Sequence, residues 1–180
     1  VSTEAVRPLR SGAEGLPVAL VCPSGACRVR PSGATALDLT GLNHITVEGF
    51  VFEGKVVTWA NGSEGNQLRR IEVRPRPGGP YPEINAGCGR DNTLESFVVE
   101  APRDTNVTPL AIGVNCTAPA RDMRSTFRNG FVRGGRNAVS LASCDDCVLD
   151  GLTVLGAWNH TFSIDGDVTN LTVRNSVFLA

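Results

Sequence analysis

The chain has 180 residues, 41% of them hydrophobic and 19% charged, with seventeen basic residues against eighteen acidic ones. Its apolar fraction is too high and its charge too low for a disordered polypeptide. A net charge of −1 supplies no global attraction to nucleic acid or acidic membranes, and no apolar run approaches the ~20 residues that span a bilayer.

Val1 to Pro17 lacks the basic-then-apolar layout of a secretory signal. It reads as a leading segment, residues 1–17, before a regular pattern over 18–180. From there a two-part unit recurs. A short alternating strand with two inward apolar residues comes first, then an octet of the form apolar, charged, turn-forming, apolar, any, apolar, any, small. The strand pairs are Leu37 and Leu39, Val57 and Trp59, Ile84 and Ala86, Ile112 and Val114, Val139 and Leu141, and Phe162 and Ile164. The octets begin at Val47, Leu68, Leu94, Phe127, Leu149 and Val173, in steps of 21, 26, 33, 22 and 24 residues. Period-2 alternation favours strands, and glycine and proline recur too often for helices of ordinary length. The third octet position holds Gly49, Arg70, Ser96, Asn129, Gly151 and Asn175. Glycine and asparagine best tolerate a left-handed bend, so this position predicts a sharp corner between two strands. The expected fold is all-β, one parallel β-helix solenoid of about six to seven coils.

Stacked coils place equivalent residues about 4.8 Å apart. The second octet position then runs Glu48, Arg69, Glu95, Arg128, Asp150, Arg174, alternating in sign at each step. The seventh runs Glu53, Arg74, Glu100, Arg133, Leu155, Leu179. In-register parallel strands would set like charges against each other, so alternation relieves repulsion and specifies register. Each exposed pair contributes only about 0–1 kcal/mol. Sixteen of the seventeen basic residues are arginine, whose planar, permanently charged fork suits stacked carboxylates.

Six cysteines fit the same frame. Cys22 with Cys27, and Cys144 with Cys147, would close local turns, while Cys88 and Cys116 fall in adjacent coils and would bridge them. An even cysteine count agrees with an oxidising compartment. Five N-x-S/T sequons begin at Asn61, Asn106, Asn115, Asn159 and Asn170, all in expected loops or turns. Secretion or display at the cell surface is the expected location. No zinc site is expected, because no second close cysteine pair lies in an adjacent coil.

Here the sequence resembles the pectate-lyase-like superfamily of right-handed parallel β-helices. SGAEGLPVAL (11–20) and ALDLTGLNHITVEGFVFEG (36–54) carry that resemblance at the start. Residues 127–166 are also similar to the β-helix repeats of fibrocystin-like extracellular proteins. The right-handed turn is what the resemblance implies.

The sharpest polar cluster is Asp145 and Asp146 in one expected turn, Asp165 and Asp167 in the equivalent turn of the next coil, and His160 nearby. Adjacent carboxylates suit Ca²⁺ or the acid and base of glycoside hydrolysis. The plainer account, and the heavier one, is that aspartate is a common turn residue. Polygalacturonases of the same superfamily carry Asp-Asp-Cys and Gly-His-Gly. Here Asp145-Asp146-Cys147 precedes the wrong strand of its coil, and His160 lacks flanking glycines. The superfamily's lyases take substrate on the face of the short strand, where the expected outward residues Asp38, Thr58, Asn85, Gly113, Ser140 and Ser163 include no base. Inserted segments at Pro75 to Glu83, which carries the candidate binding residue Tyr81, and at Ala101 to Pro109 could wall a groove. Trp158 is a candidate either for stacking on sugar from a loop or for covering the core. The expectation is a non-catalytic extracellular module, structural or binding glycan or protein, and part of a longer array. Its partners would be a polysaccharide, a glycoprotein, further coils or neighbouring subunits. The alternative is a lyase or hydrolase of an acidic polysaccharide.

Overall fold

A computed structural model describes residues 4–24, 27–60, 62–76, 78, 81–114, 116 and 122–180. Among these there is no helix. The chain is a parallel β-solenoid of about six turns, built from two stacked sheets that wrap one core.

Each full coil begins with a short strand. These are Thr35–Asp38, Lys55–Trp59, Glu83–Ala86, Leu110–Ile112, Asn137–Asp145 and His160–Thr169, stacked in that order. The octet follows in the second sheet. Its first half stacks as Val18–Val21, Ile45–Glu48, Gln67–Arg69, Thr93–Glu100, Thr126–Arg133, Val148–Asp150 and Thr172–Arg174. Its second half passes through Cys27–Val29, Phe50–Phe52 and Glu72–Val73 to Thr153–Leu155 and Val177–Leu179. The leading segment joins the edge, where Val6 donates its N–H to Ala36 and accepts one from Asp38.

The core consists of columns. Octet position one contributes Val47, Leu68, Leu94, Phe127 and Leu149, and position six Phe52, Val73, Val99, Val132 and Val154, all buried. Position four shows complementary packing. A Cβ on Gly130 would lie 2.2 Å from the Phe97 ring of the coil below, so the ring fills space that glycine leaves open. Trp59 is fully buried and packs on Phe127 with ring centroids 5.6 Å apart.

The short-strand register differs from the expected one in two coils. The inward pair of the fourth short strand is Leu110 and Ile112, aligned with Ile84 and Ala86, rather than Ile112 and Val114. In the second, a bulge opposite Asn85 and Ala86 sets Val56 beside Ile84 and Trp59 beside Ala86, where simple alternation pairs Val57 with Trp59; Val56 and Trp59 are both buried. Alternation alone cannot locate a bulge, because one extra residue resets the phase.

All six third-position residues are left-handed, from φ 49° at Arg70 to φ 80° at Gly49. A second left-handed column, three residues before each octet, holds His44, Gly65, Asp91, Arg124, Asp146 and Asn170. Between this corner and the octet lies a buried polar column. Asn66 Oδ1 accepts the Ile45 N–H at 2.9 Å and Asn66 Nδ2 donates to Leu42 O at 2.8 Å. One coil on, Asn92 Oδ1 accepts the Asn66 N–H at 2.9 Å and Asn92 Nδ2 donates to Ser63 O at 3.2 Å. These side chains satisfy corner backbone groups that no strand reaches.

The first charge ladder holds its register throughout. Glu95 pairs with Arg128 at 2.9 Å and Arg69 at 3.7 Å, and Asp150 with Arg174 at 2.9 Å. Glu48 turns to Arg70 instead of Arg69. The second ladder keeps its register between Glu100 and Arg133 but forms no ion pair there. Arg74 turns to Glu72 of its own strand, and Glu53 is taken by Arg28 and Arg30. The three disulfides are Cys22–Cys27, Cys88–Cys116 and Cys144–Cys147, with Cα separations of 5.9, 5.3 and 6.1 Å.

Three measurements check this framework. Asn66→Ala strands the Ile45 N–H and the Leu42 carbonyl, so urea unfolding should show a loss of about 2 kcal/mol or more. Ser96→Gly relieves an exposed left-handed serine and should raise the melting temperature. Gly49→Ala should lower it, because its Cβ would meet Cys22 O at 2.3 Å. Hydrogen bonds from Arg30, Arg124 and Asn175 hold Glu53, Asp91 and Asp150 respectively below the ordinary carboxylate range. Their folded-state pKa values lie below the unfolded ones. Their contribution is therefore present above about pH 4 and lost as pH falls through the folded values. Asp91→Asn should flatten the acid limb of stability against pH.

Candidate functional site

The acidic residues of the last coils do not converge. Asp145 ends the strand Asn137–Asp145, while Asp165 and Asp167 lie inside the strand His160–Thr169 rather than in a turn. Register sets Thr169 opposite Asp145, and Asp167 opposite Ser143. The Thr169 hydroxyl donates to Asp145. Asp146 occupies the left-handed corner and adds to the negative potential around Arg124. Asp165 accepts hydrogen bonds from the Ser140 hydroxyl at 2.6 Å and the Ser163 hydroxyl at 2.9 Å. These bonds, Ser140's first, hold its carboxyl below the usual range. A general acid needs the opposite shift. His160 opens its strand, exposed, with Asn137 beside it in register. Among the described residues, no three His, Cys, Asp or Glu side chains are placed to hold a metal ion.

The short-strand face has the register column Asp38, Val57, Asn85, Ala111, Ser140, Ser163. Val57 and Ala111 stand where Thr58 and Gly113 were expected, a consequence of the two phase corrections above. No basic residue joins that column.

A different corner gathers functional side chains. The loop from Ala101 to Pro109 leaves one octet and folds onto the next two coils. Thr105 is buried and closes a tight turn, its hydroxyl donating to Pro102 O at 2.6 Å. Gly135 N–H donates to Pro102 O, and Arg136 N–H to Val107 O at 2.7 Å. One coil further on, Trp158 N–H donates to Gly135 O. The Trp158 indole N–H reaches Thr105 O at 3.1 Å, tethering the ring across 53 residues of sequence. Arg136 lies over the ring, its guanidinium carbon 5.8 Å from the centroid. The ring still leaves 51% of the residue's surface exposed. Beside it is a cleft of about 530 Å³ lined by Arg103, Asp104 and Trp158. A second cleft of about 380 Å³ shares Arg103 and is walled by Pro75, Glu100, Ala101, Pro102, Arg133, Gly134 and Gly156. Sharing Arg103, the two clefts make up a groove whose lining comes from successive coils, from Pro75 to Trp158.

Of the other candidates, Tyr81 is half exposed but does not line this groove. Asn106, Asn159 and Asn170 are exposed. Asn61 and Asn115 lie outside the described residues. Arg136 donates to Asn106 Oδ1 at 3.4 Å, and Asn159 Nδ2 to Asn137 Oδ1 at 3.1 Å. Sequence reasoning singled out Trp158 and the inserted loop separately and passed over Arg103, Arg133 and Arg136. The signal available for Arg133 was its place at the end of the alternating ladder, facing Leu155.

No protein-family model matches the chain, and no curated protein or solved structure matches it significantly. The fold and the groove therefore carry the functional argument. No helix among the described residues is long and apolar enough to cross a membrane.

Proposed function

We propose that the chain is a non-catalytic extracellular β-solenoid module that binds saccharide at the Trp158 corner. The observation that carries this reading is the tethered, half-exposed Trp158 ring beside an open cleft. An indole held flat by its own N–H is preorganised to stack on a sugar face, because the ordering cost is met in folding. Three disulfides favour an oxidising compartment. The resemblance to pectate-lyase-like helices and fibrocystin-like modules supports the same setting, and the exposed sequons are compatible with glycosylation there.

The carboxylates argue against the hydrolase alternative. Asp165 is a strengthened acceptor with two hydroxyl donors, and Asp145 is engaged by Thr169. Asp165 has an environment that favours the carboxylate, the opposite of what a proton donor needs.

Binding of the full chain to a panel of immobilised neutral and anionic oligosaccharides tests the reading. Trp158→Ala should weaken binding by about tenfold, in line with the ~1.4 kcal/mol of an aromatic stack, with the melting temperature little changed. Equal binding by the variant, or cleavage of a polysaccharide by the wild type, would contradict it.

A further inference from the structure

Ten of the fifteen described arginines are committed to a carboxylate. Arg7, Arg28, Arg30, Arg69, Arg70, Arg74, Arg90, Arg124, Arg128 and Arg174 all form ion pairs. Arg76 donates to Pro31 O. Against that background the uncommitted ones are informative. Arg103 and Arg133 are exposed and have no hydrogen-bond or ion-pair partner among the described residues. Both line the groove, Arg103 where the two clefts meet and Arg133 in the second cleft. Arg136 joins them over Trp158, its guanidinium donating among the described residues to the Asn106 amide oxygen.

The fold explains why Arg133 is free. Its ladder alternates until the next rung, where Leu155 replaces the acid that alternation requires. Glu100, on the other side, lies in register but not in ion-pair contact, and it also faces Arg74.

Building on the saccharide reading, we infer that this groove selects a linear saccharide bearing carboxylate or sulfate groups. Trp158 stacks on one sugar ring while Arg103 and Arg133 pair with its anionic substituents. A guanidinium fork matches either anion with two parallel hydrogen bonds. The groove runs from the coil of Pro75 to that of Trp158, three coil steps or about 14 Å at ~4.8 Å each, which accommodates a short oligosaccharide. Asp104, which has no partner among the described residues, and Glu100 also line the groove and oppose the anion, so the selection rests on the three arginines outweighing two carboxylates. The groove is on a different face from the short strands.

The test uses the full chain with three probes: a sulfated uronate-containing oligosaccharide, a polygalacturonate oligosaccharide, and a neutral glucan oligosaccharide of equal length. One or both anionic probes should bind at least about tenfold tighter than the neutral one, and which of them binds identifies the substituent. Arg103→Gln and Arg133→Gln should each weaken the anionic complex about fivefold to tenfold and leave neutral binding unchanged. Asp104→Asn should tighten the anionic complex. Arg10→Gln, removing an exposed arginine that lies outside the groove and has no partner among the described residues, should have no effect. All four side chains are exposed, so unchanged melting temperatures accompany these results. Equal affinity for neutral and anionic probes, with binding still lost in Trp158→Ala, would overturn the anionic selection and leave the saccharide reading standing. An effect of Arg10→Gln as large as that of Arg103→Gln would overturn the groove as its source. Failure of all three probes to bind would overturn both.

Discussion

Everything in this structure depends on parallel, in-register stacking. Each residue meets its equivalents in the coils below and above at about 4.8 Å, so side-chain chemistry is chosen by column. Apolar columns fill the lumen. Charged columns must alternate, and the Glu48-to-Arg174 column does so at every rung. Corners must turn left-handed at the same phase, and twelve side-chain positions in two columns do so whether or not the residue is glycine.

Stacking also leaves corner backbone groups to be satisfied, and the solution changes along the axis. Asn66 and Asn92 each use a side-chain amide that accepts a backbone N–H and donates to a backbone carbonyl of the preceding coil. At the equivalent position two coils on from Asn92 stands Cys147, whose bond to Cys144 closes the corner covalently. The Cys88–Cys116 bridge ties adjacent coils in the middle. With the corners fixed, inserted segments leave the octets from defined points. That is how Ala101–Pro109 comes to rest on Gly135, Arg136 and Trp158, and how a groove forms on an otherwise regular surface.

The parts of this fold readable from sequence were those that repeat. Octet phase, the bends at Gly49 to Asn175, the first charge ladder and the Cys88–Cys116 pair depend on periodicity and emerge from it, whereas Cys22–Cys27 and Cys144–Cys147 are legible from their short spacing. Two short-strand phases did not, because the bulge near Trp59 and the shorter strand Leu110–Ile112 break the alternation that would reveal them. The corner column of Asn66 and Asn92 was hidden because buried asparagine looks like an ordinary loop residue until its partners are known. The groove was half legible. An inserted loop and an isolated tryptophan can be seen in a line of text, but the freedom of Arg103 and Arg133 is a statement about what does not lie near them. The placement of Asp165 and Asp167 within a strand likewise needed the register of Asn137–Asp145 against His160–Thr169.

The stack thus separates two tryptophans by role. Trp59 fills the lumen and Trp158 faces the groove, half exposed, with its indole N–H fixed on Thr105. A titration of isotope-labelled protein with an anionic oligosaccharide, followed at the two indole N–H resonances, addresses the central claim directly. The account predicts a saturable shift of the Trp158 resonance with the Trp59 resonance stationary. Two stationary resonances at saturating ligand, or movement of Trp59 with Trp158 unmoved, would contradict it.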